Sequence, residues 1–264
     1  MLIYIALLAI PYIQHKNVSV SYQKKFAKQS FYSDTAGTER VAYINDNTDA
    51  LLYRLHMLDE AKDEIILSTF DFNADKSGQD MMASLLHAAD RGVSVRIYNP
   101  INLLKPWNLQ ARMHDKYVIV DQKMYLLGGR NTTNLFLGDY SRSKNIDREL
   151  FVYETAENDS SSIRQLTDYF ESVWALSDSK EYTCKKMTKK IQSCKAKLEN
   201  RYTSLKEKYP DAYSTWDYEA LTLQTNKVSL LSNPIKSENK EPWMWHSLHQ
   251  LMMQGEQARI YTPY

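Results

Sequence analysis

Cysteine is almost absent. The 264 residues hold two, Cys184 and Cys194. On one helix, ten residues separate them by about 15 Å, too far for a disulfide. Neither belongs to a C-x-x-C pair, which argues against a zinc site and leaves the redox compartment open. An excess of either charge is missing too. Lys and Arg number 33 against 32 Asp and Glu, a net charge of +1, so no general basic field favours nucleic acid as a partner. No apolar run is long enough to cross a bilayer. The longest is the opening, Met1 to Ile13, about 20 Å as a helix against a hydrocarbon core of about 30 Å. No basic residue precedes it and no small-x-small cleavage site follows, so it does not read as a complete signal peptide. Two readings stay open: a buried N-terminal segment, or the end of a membrane anchor whose beginning is missing or very short. The second is preferred. Lys16, Lys24, Lys25 and Lys28 follow the run and favour a cell-membrane location with the globular part on the cytoplasmic side.

Hydrophobic residues make up 43% of the chain, enough for one large domain or two smaller ones. The most informative stretch is Arg112-Met113-His114-Asp115-Lys116-Tyr117-Val118-Ile119-Val120-Asp121, followed by Gly128-Gly129-Arg130-Asn131. Tyr117 to Val120 reads as a buried strand. His114 and Lys116 stand two residues apart at its start, so imidazole and ammonium project from the same face. Asp121-Gln122-Lys123 reads as a turn and Met124 to Leu127 as a return strand. The glycine pair lets the backbone approach a ligand closely, and Asn131 adds amide donors. Together these groups suit phosphoryl chemistry: imidazole can attack phosphorus, lysine can hold the non-bridging oxygens, and backbone N–H groups can bind an anion.

The spacing H-x-K, four residues, Asp, six residues, Gly-Gly-x-Asn resembles the signature of the phospholipase D superfamily at each specified position. The resemblance implies a phosphohistidine mechanism with no metal and no cofactor. It makes His114, Lys116 and Asp121 the catalytic motif residues and Lys116, Gly129 and Asn131 the phosphate site, with Asp121 more an orienter than a participant. In this family an acid near the start of the strand after the motif hydrogen-bonds the histidine. Asp147 matches that position first and Glu149 second, with two solvent-facing acids on an edge strand as the alternative.

Along the chain, Thr48-Asp49 could cap a helix whose apolar stripe is Leu51, Leu52, Leu55 and Leu58. Ile65 to Phe70 reads as a strand ending in Asp71-Phe72-Asn73. A helix from Gln79 to Arg91 would turn Met82, Leu85, Leu86 and Ala89 inward and stop at Gly92. Val93, Val95 and Ile97 alternate as the next strand. This strand–helix–strand order predicts an α/β fold, and the resemblance makes it a phospholipase D-like sandwich of a mixed, largely parallel sheet flanked by helices. Thr69-Phe70-Asp71-Phe72 and Ala88-Ala89-Asp90-Arg91-Gly92-Val93 are similar to the bacterial cardiolipin synthase branch. That branch usually has a further loop and strand before the motif. Here Val95 to Pro100 passes almost directly to Ile101-Asn102-Leu103-Leu104, so either the loop is deleted or two strands are fused. Asp147 to Tyr153 reads as a strand, and Ser162 to Leu176 as a helix packed through Leu166, Phe170, Val173 and Trp174.

The expected domains are an apolar segment at 1–13, a phospholipase D-like domain at 40–178, a basic helical linker at 179–210, and the beginning of a second such half at 211–264. Lys180 to Lys208 holds ten Lys or Arg and three acids, with Met187, Ile191, Cys194, Leu198 and Leu205 at helical spacing. It fits a helix on an anionic bilayer and equally a solvated helix packed on the domain. Shifted by 193 residues, Leu55-His56 falls on Leu248-His249, Leu58 on Leu251 and Thr69 on Thr262. That weak repeat, a helix leading to a strand at Ala258 to Tyr264, agrees with a family of two motif-bearing halves. No second H-x-K follows: His15, His56, His87, His246 and His249 all lack the lysine. His246 and His249 have no acidic or cysteine partner at ligand spacing and read as core or surface residues.

The first functional reading is therefore a cardiolipin synthase-like phosphatidyltransferase or phospholipase D acting on an anionic phospholipid at a membrane. It is expected to be inactive alone, because a missing second half or a second chain must supply the other motif. The alternatives are a nuclease completed by homodimerisation and an inactive, truncated half.

Overall fold

The computed structural model describes residues 3–7, 16–98, 113–177, 179–180, 182–235 and 241–257. Among these, seven strands form one sheet in the order β3-β2-β4-β5-β6-β1-β7. The strands are β1 (Glu39–Ile44), β2 (Glu64–Ser68), β3 (Ser94–Tyr98), β4 (Lys116–Val120), β5 (Met124–Gly128), β6 (Glu149–Glu154) and β7 (Leu223–Gln224). Five longer helices accompany them: α1 (Asn47–Glu60), α2 (Lys76–Asp90), α3 (Ser162–Trp174), α4 (Lys189–Lys208) and α5 (Trp243–Met253). The mixed α/β sandwich is found, but the sheet is not largely parallel. Only β2 and β3 pair in parallel; every other neighbouring pair is antiparallel. The reason is connectivity: β2–α2–β3 is a helical crossover, whereas β4 turns straight back into β5.

Helix starts are set by side chains that accept from orphan N–H groups. Asp46, not Thr48 or Asp49, caps α1 by accepting from the Thr48 amide at 2.6 Å. Asp75 caps α2, which starts three residues before the expected Gln79. The buried face of α2 is Met81, Leu85 and Ala88, while Met82 and Ala89 are exposed. Ser161 and Thr188 cap α3 and α4.

Alternation along the strands builds two apolar layers. Val118, Val120, Leu126 and Phe151 pack with α1, α2 and the end of α4. Tyr117, Ile119, Tyr125 and Val152 pack with Ile163, Leu166, Phe170 and Val173 of α3. Trp174 is half-buried beside them.

Among the described residues, the stretch after α4 joins the first sheet. Ala212 and Tyr213 pack into the first layer, and β7 pairs with β1 as the last strand of the same sheet. Short edge pairing of this kind satisfies the outer N–H and C=O row of β1. The helix expected around Leu248 and Leu251 is α5. It packs on the segment near Val20–Gln23, where the Tyr22 and Trp243 rings stack at 4.7 Å. The expected strand at 258–264 and the fused run at 99–104 lie outside the described residues, as do residues 8–13 of the N-terminal segment, of which 3–7 are helical. No described helix is long and apolar enough to cross a membrane. The linker is helical only from Lys189, and its first two turns bury nothing. Cys184 and Cys194 are both free and exposed.

His56 ties α1 to the chain that follows α4. It stacks on Trp216 at 3.9 Å. Its Nδ1 lies 3.1 Å from the Ala212 carbonyl, so Nδ1–H donates there. Its Nε2 is left to accept from the Tyr218 hydroxyl at 2.8 Å. Burial therefore holds the imidazole below its usual value of 6.5, outweighing the bond to Ala212. The unfolded chain then binds a proton that the folded chain refuses, so stability rises with pH up to about 6.5 and is lost as pH falls below it. Denaturation midpoints between pH 7.5 and 5 should fall on acidification, and His56→Gln should flatten that slope. An unchanged slope would assign the acid sensitivity to other groups.

Candidate active site

The strand directions bring one set of ends together. The C-terminal ends of β1, β2, β3 and β5 and the N-terminal ends of β4 and β6 lie along the same edge. Beyond the start of β4, its two neighbours close over it: Phe72 after β2 bridges Thr132 after β5. Two backbone bonds seal the junction, Asn73 N–H to Thr132 O at 3.1 Å and Thr132 N–H to Asp71 O at 3.0 Å. His114 and Lys116 enter the sheet under this closure.

Lys116 is buried, at 4% exposure, while His114 is exposed. The Lys116 ammonium donates to the His114 carbonyl at 2.7 Å and lies 2.9 Å from the ring's Nδ1. The ammonium also lies 3.2 Å from Nε2, so it faces the edge of the ring that carries both nitrogens. Phe70 packs against the imidazole with ring centroids 4.7 Å apart, and the ammonium lies 5.8 Å from the same ring's centre. Burial pulls the Lys116 pKa below its usual value, and Asp115, Asp147 and Asp71 oppose that fall. Asn131 is buried, and its amide oxygen accepts from the Asp71 N–H at 3.2 Å. That assignment leaves its NH2 group to donate to a ligand.

The glycine pair makes room for the protein's own acids. A Cβ on Gly129 would lie 1.8 Å from Asp147 Oδ2, and one on Gly128 would lie 2.4 Å from Glu149 Cγ. The close approach anticipated for a ligand is thus made by the strand carrying Asp147 and Glu149. Asp147 sits beside Gly129, accepts from the Arg148 N–H at 2.7 Å and acts electrostatically on Lys116. Glu149 is committed elsewhere. Its two oxygens accept from Arg54 at 2.5 and 2.7 Å, and Arg130 lies 3.5 Å away. A carboxylate so engaged serves as a buried counterion, not as the partner of His114.

Asp121 is also placed away from the chemistry. It lies at the far end of β4, seven residues from His114, which at about 3.3 Å per residue is roughly 20 Å. Its carboxylate accepts from the backbone N–H groups of Lys62, Asp63 and Glu64 at 2.8 to 2.9 Å. Asp121 clamps the turn between α1 and β2, and its own φ of 50° sits in the left-handed region that Asp tolerates better than most residues.

Arg54, Arg130 and Tyr169 were not singled out from the sequence. Arg130 carried one available signal, its place inside Gly-Gly-Arg-Asn. The others act across the fold and left no local signal.

No family model matches the chain. Two uncharacterized proteins from two strains of Helicobacter pylori are each 28% identical to it, over 33% of this chain and 25% of theirs. The chain thus spans a quarter of the length of these curated relatives. Among solved structures, NucT from Helicobacter pylori is 16% identical with a TM-score of 0.40, covering 51% of this chain and 94% of NucT. Phosphatidylserine synthase from Haemophilus influenzae is 11% identical with a TM-score of 0.43, covering 67% and 45%. Nuc from Salmonella typhimurium, a phospholipase D family member, is 19% identical with a TM-score of 0.39, covering 55% and 98%. With each score below 0.5, the fold is defined by the chain's own strand order.

Because Asp121 holds three backbone donors, Asp121→Ala should destabilise the fold by about 1–3 kcal/mol, read by chemical denaturation. Loss of function at unchanged stability would return Asp121 to the chemistry.

Proposed function

We infer that this chain is a phospholipase D-type, cardiolipin synthase-like protein that cleaves or transfers phospholipid phosphodiesters at a membrane through a phosphohistidine on His114. The observation that carries this reading is the pairing of His114 with Lys116, 2.9 Å apart, at the sheet edge where the two neighbouring strands close over β4. His114 is exposed and can meet substrate, while the ammonium behind it is fixed.

The chemistry follows from these positions. Once substrate draws the Lys116 ammonium off the ring, the unprotonated ring nitrogen attacks phosphorus, the P–N bond forms, and the bond to the leaving alcohol breaks. Lys116 and the Asn131 amide hold the non-bridging oxygens as charge develops on them. The leaving oxygen needs a proton, and the phosphohistidine needs a base-activated acceptor, either water or an alcohol. His114 occupies the attacking position, so another group must do this work. The sequence contains no second H-x-K, and the second histidine would come from another segment or another copy of the chain. Asp147, beside Gly129, is the acid read as orienting His114. The near-neutral charge supports phospholipid over nucleic acid as substrate.

Labelled phosphatidylglycerol and labelled DNA, offered in parallel, separate the substrate classes. The chain alone should turn over lipid only in traces, and a monodisperse monomer working at an ordinary enzymatic rate would sink the need for a second histidine. Where turnover is found, His114→Asn should abolish it and leave the fold intact. Lys116→Met should lose at least about 2.7 kcal/mol of transition-state stabilisation. It should unfold no more easily than the parent at neutral pH, because it removes a buried ammonium whose folded pKa is depressed. Wild-type turnover in either variant would move the phosphate site elsewhere.

A further inference from the structure

The residue between the motif histidine and lysine points the other way. In an extended chain the side chain of Asp115 leaves the opposite face from His114 and Lys116. That face belongs to α3. There the Tyr169 hydroxyl donates to Asp115 Oδ2 at 2.6 Å. The backbone of Asp115 is held as well: Ser68 at the end of β2 donates its hydroxyl to the Asp115 carbonyl oxygen at 3.1 Å. The two contacts grip one residue through its side chain and its backbone, immediately before β4 begins. Burial, with the Asp115 charge second, holds the Tyr169 phenol well above its usual value, so Tyr169 remains a donor at any physiological pH.

We propose that Asp115, gripped by Tyr169 and Ser68, is a positioning residue for the proposed reaction: it fixes the backbone between His114 and Lys116 and keeps the Lys116 ammonium charged and aimed at the phosphate. This rests on the function inferred above and adds a role for the α3 face of the sheet. Lys116 has little water to stabilise its charge. Its surroundings are the carboxylates of Asp71 after β2, Asp115 before β4 and Asp147 before β6, together with the His114 and Phe70 rings. Asp71 is exposed and Asp147 partly so, where solvent screens them. Asp115 is half-buried and anchored. It sits next to Lys116 in sequence, so its charge cannot drift away from the ammonium.

The test reads Lys116 directly and needs no turnover. In the full chain, the Lys116 side-chain resonance is titrated by NMR and assigned with Lys116→Met. Asp115→Asn keeps the shape and removes the charge. It should lower the Lys116 pKa by about one unit, the size expected for loss of one close opposite charge. Tyr169→Phe removes only the hydroxyl. It should shift the same resonance in the same direction by less, with circular dichroism unchanged. A Lys116 pKa that stays at the parent value in both folded variants overturns the proposal. If Asp115→Asn does not fold, Tyr169→Phe alone decides. Inorganic phosphate, added to the parent chain, separates this idea from the function it rests on. Phosphate should move the Lys116 resonance. A parent that ignores phosphate while Asp115→Asn still lowers the Lys116 pKa would overturn the inferred phosphate site and leave the Asp115–Lys116 coupling standing.

Discussion

One buried ion cluster holds the site's edge of the sheet in register. Glu149 opens β6 with its side chain fully buried, fixed by Arg54 of α1 and faced by Arg130 from the loop after β5. Arg130 goes on to donate to the carbonyls of Ile44 and Asn45 and to the side chain of Asn47. Four elements that are remote in sequence therefore meet at three side chains: the end of β1, α1, the loop after β5 and the start of β6. Two guanidinium groups and one carboxylate leave a net positive charge in a dry place, which is costly to form. Burial accordingly pulls the Arg130 pKa below its usual value, with Glu149 opposing. Such clusters are seldom the cheapest way to gain stability, but removing one member strands the others without solvent. Its use here is register. With Arg130 pinned on one side, its neighbours Gly129 and Asn131 are fixed in space.

That anchoring explains the glycine pair in structural terms. β6 must come close enough for Glu149 to reach Arg54, and any side chain at Gly128 or Gly129 would collide with it. The same approach brings Asp147 beside Gly129 and within electrostatic reach of Lys116. The ion cluster and the candidate site thus share one row of the sheet, Lys116–Gly128–Glu149. One end of the row carries Lys116 beside His114 and the other is locked in the core.

Much of this was legible in the sequence because it is local. The β4 and β5 strands, the three apolar positions of α1 that bury fully, and the packed face of α3 follow from periodicity and came out at Tyr117 to Val120, at Leu51, Leu55 and Leu58, and at Leu166, Phe170 and Val173. The pairing of His114 with Lys116 followed from strand geometry alone. Other features were not local. The parallel character of the sheet was overestimated because a single helical crossover was read as the rule for all strands. The helix α2 starts three residues before the expected Gln79, and its buried face is set by Met81, Leu85 and Ala88 instead of Met82 and Ala89. Asp121 and Glu149 were grouped with the chemistry because spacing shows that residues are fixed, not what fixes them. Their partners, the Lys62–Glu64 amides and Arg54, come from segments more than fifty residues away.

The contrast between Lys116 and His114 sets what the site can do. Lys116 is buried, tethered to the backbone of His114 and surrounded by acids. Its geometry is finished before any ligand arrives, so little ordering is left to oppose binding. His114 is exposed, with Phe70 on one side of the ring. The sequence holds no second histidine of an H-x-K pair. On the inferred function, Lys116 would hold the phosphodiester and His114 would attack it. Protonating the leaving group, however, calls for a donor on the far side of the phosphorus, in line with the attack. On that reading, the edge of the sheet that carries His114 is where a completing group would dock, beside a Lys116 ammonium whose charge Asp115, Asp147 and Asp71 favour against the pull of burial.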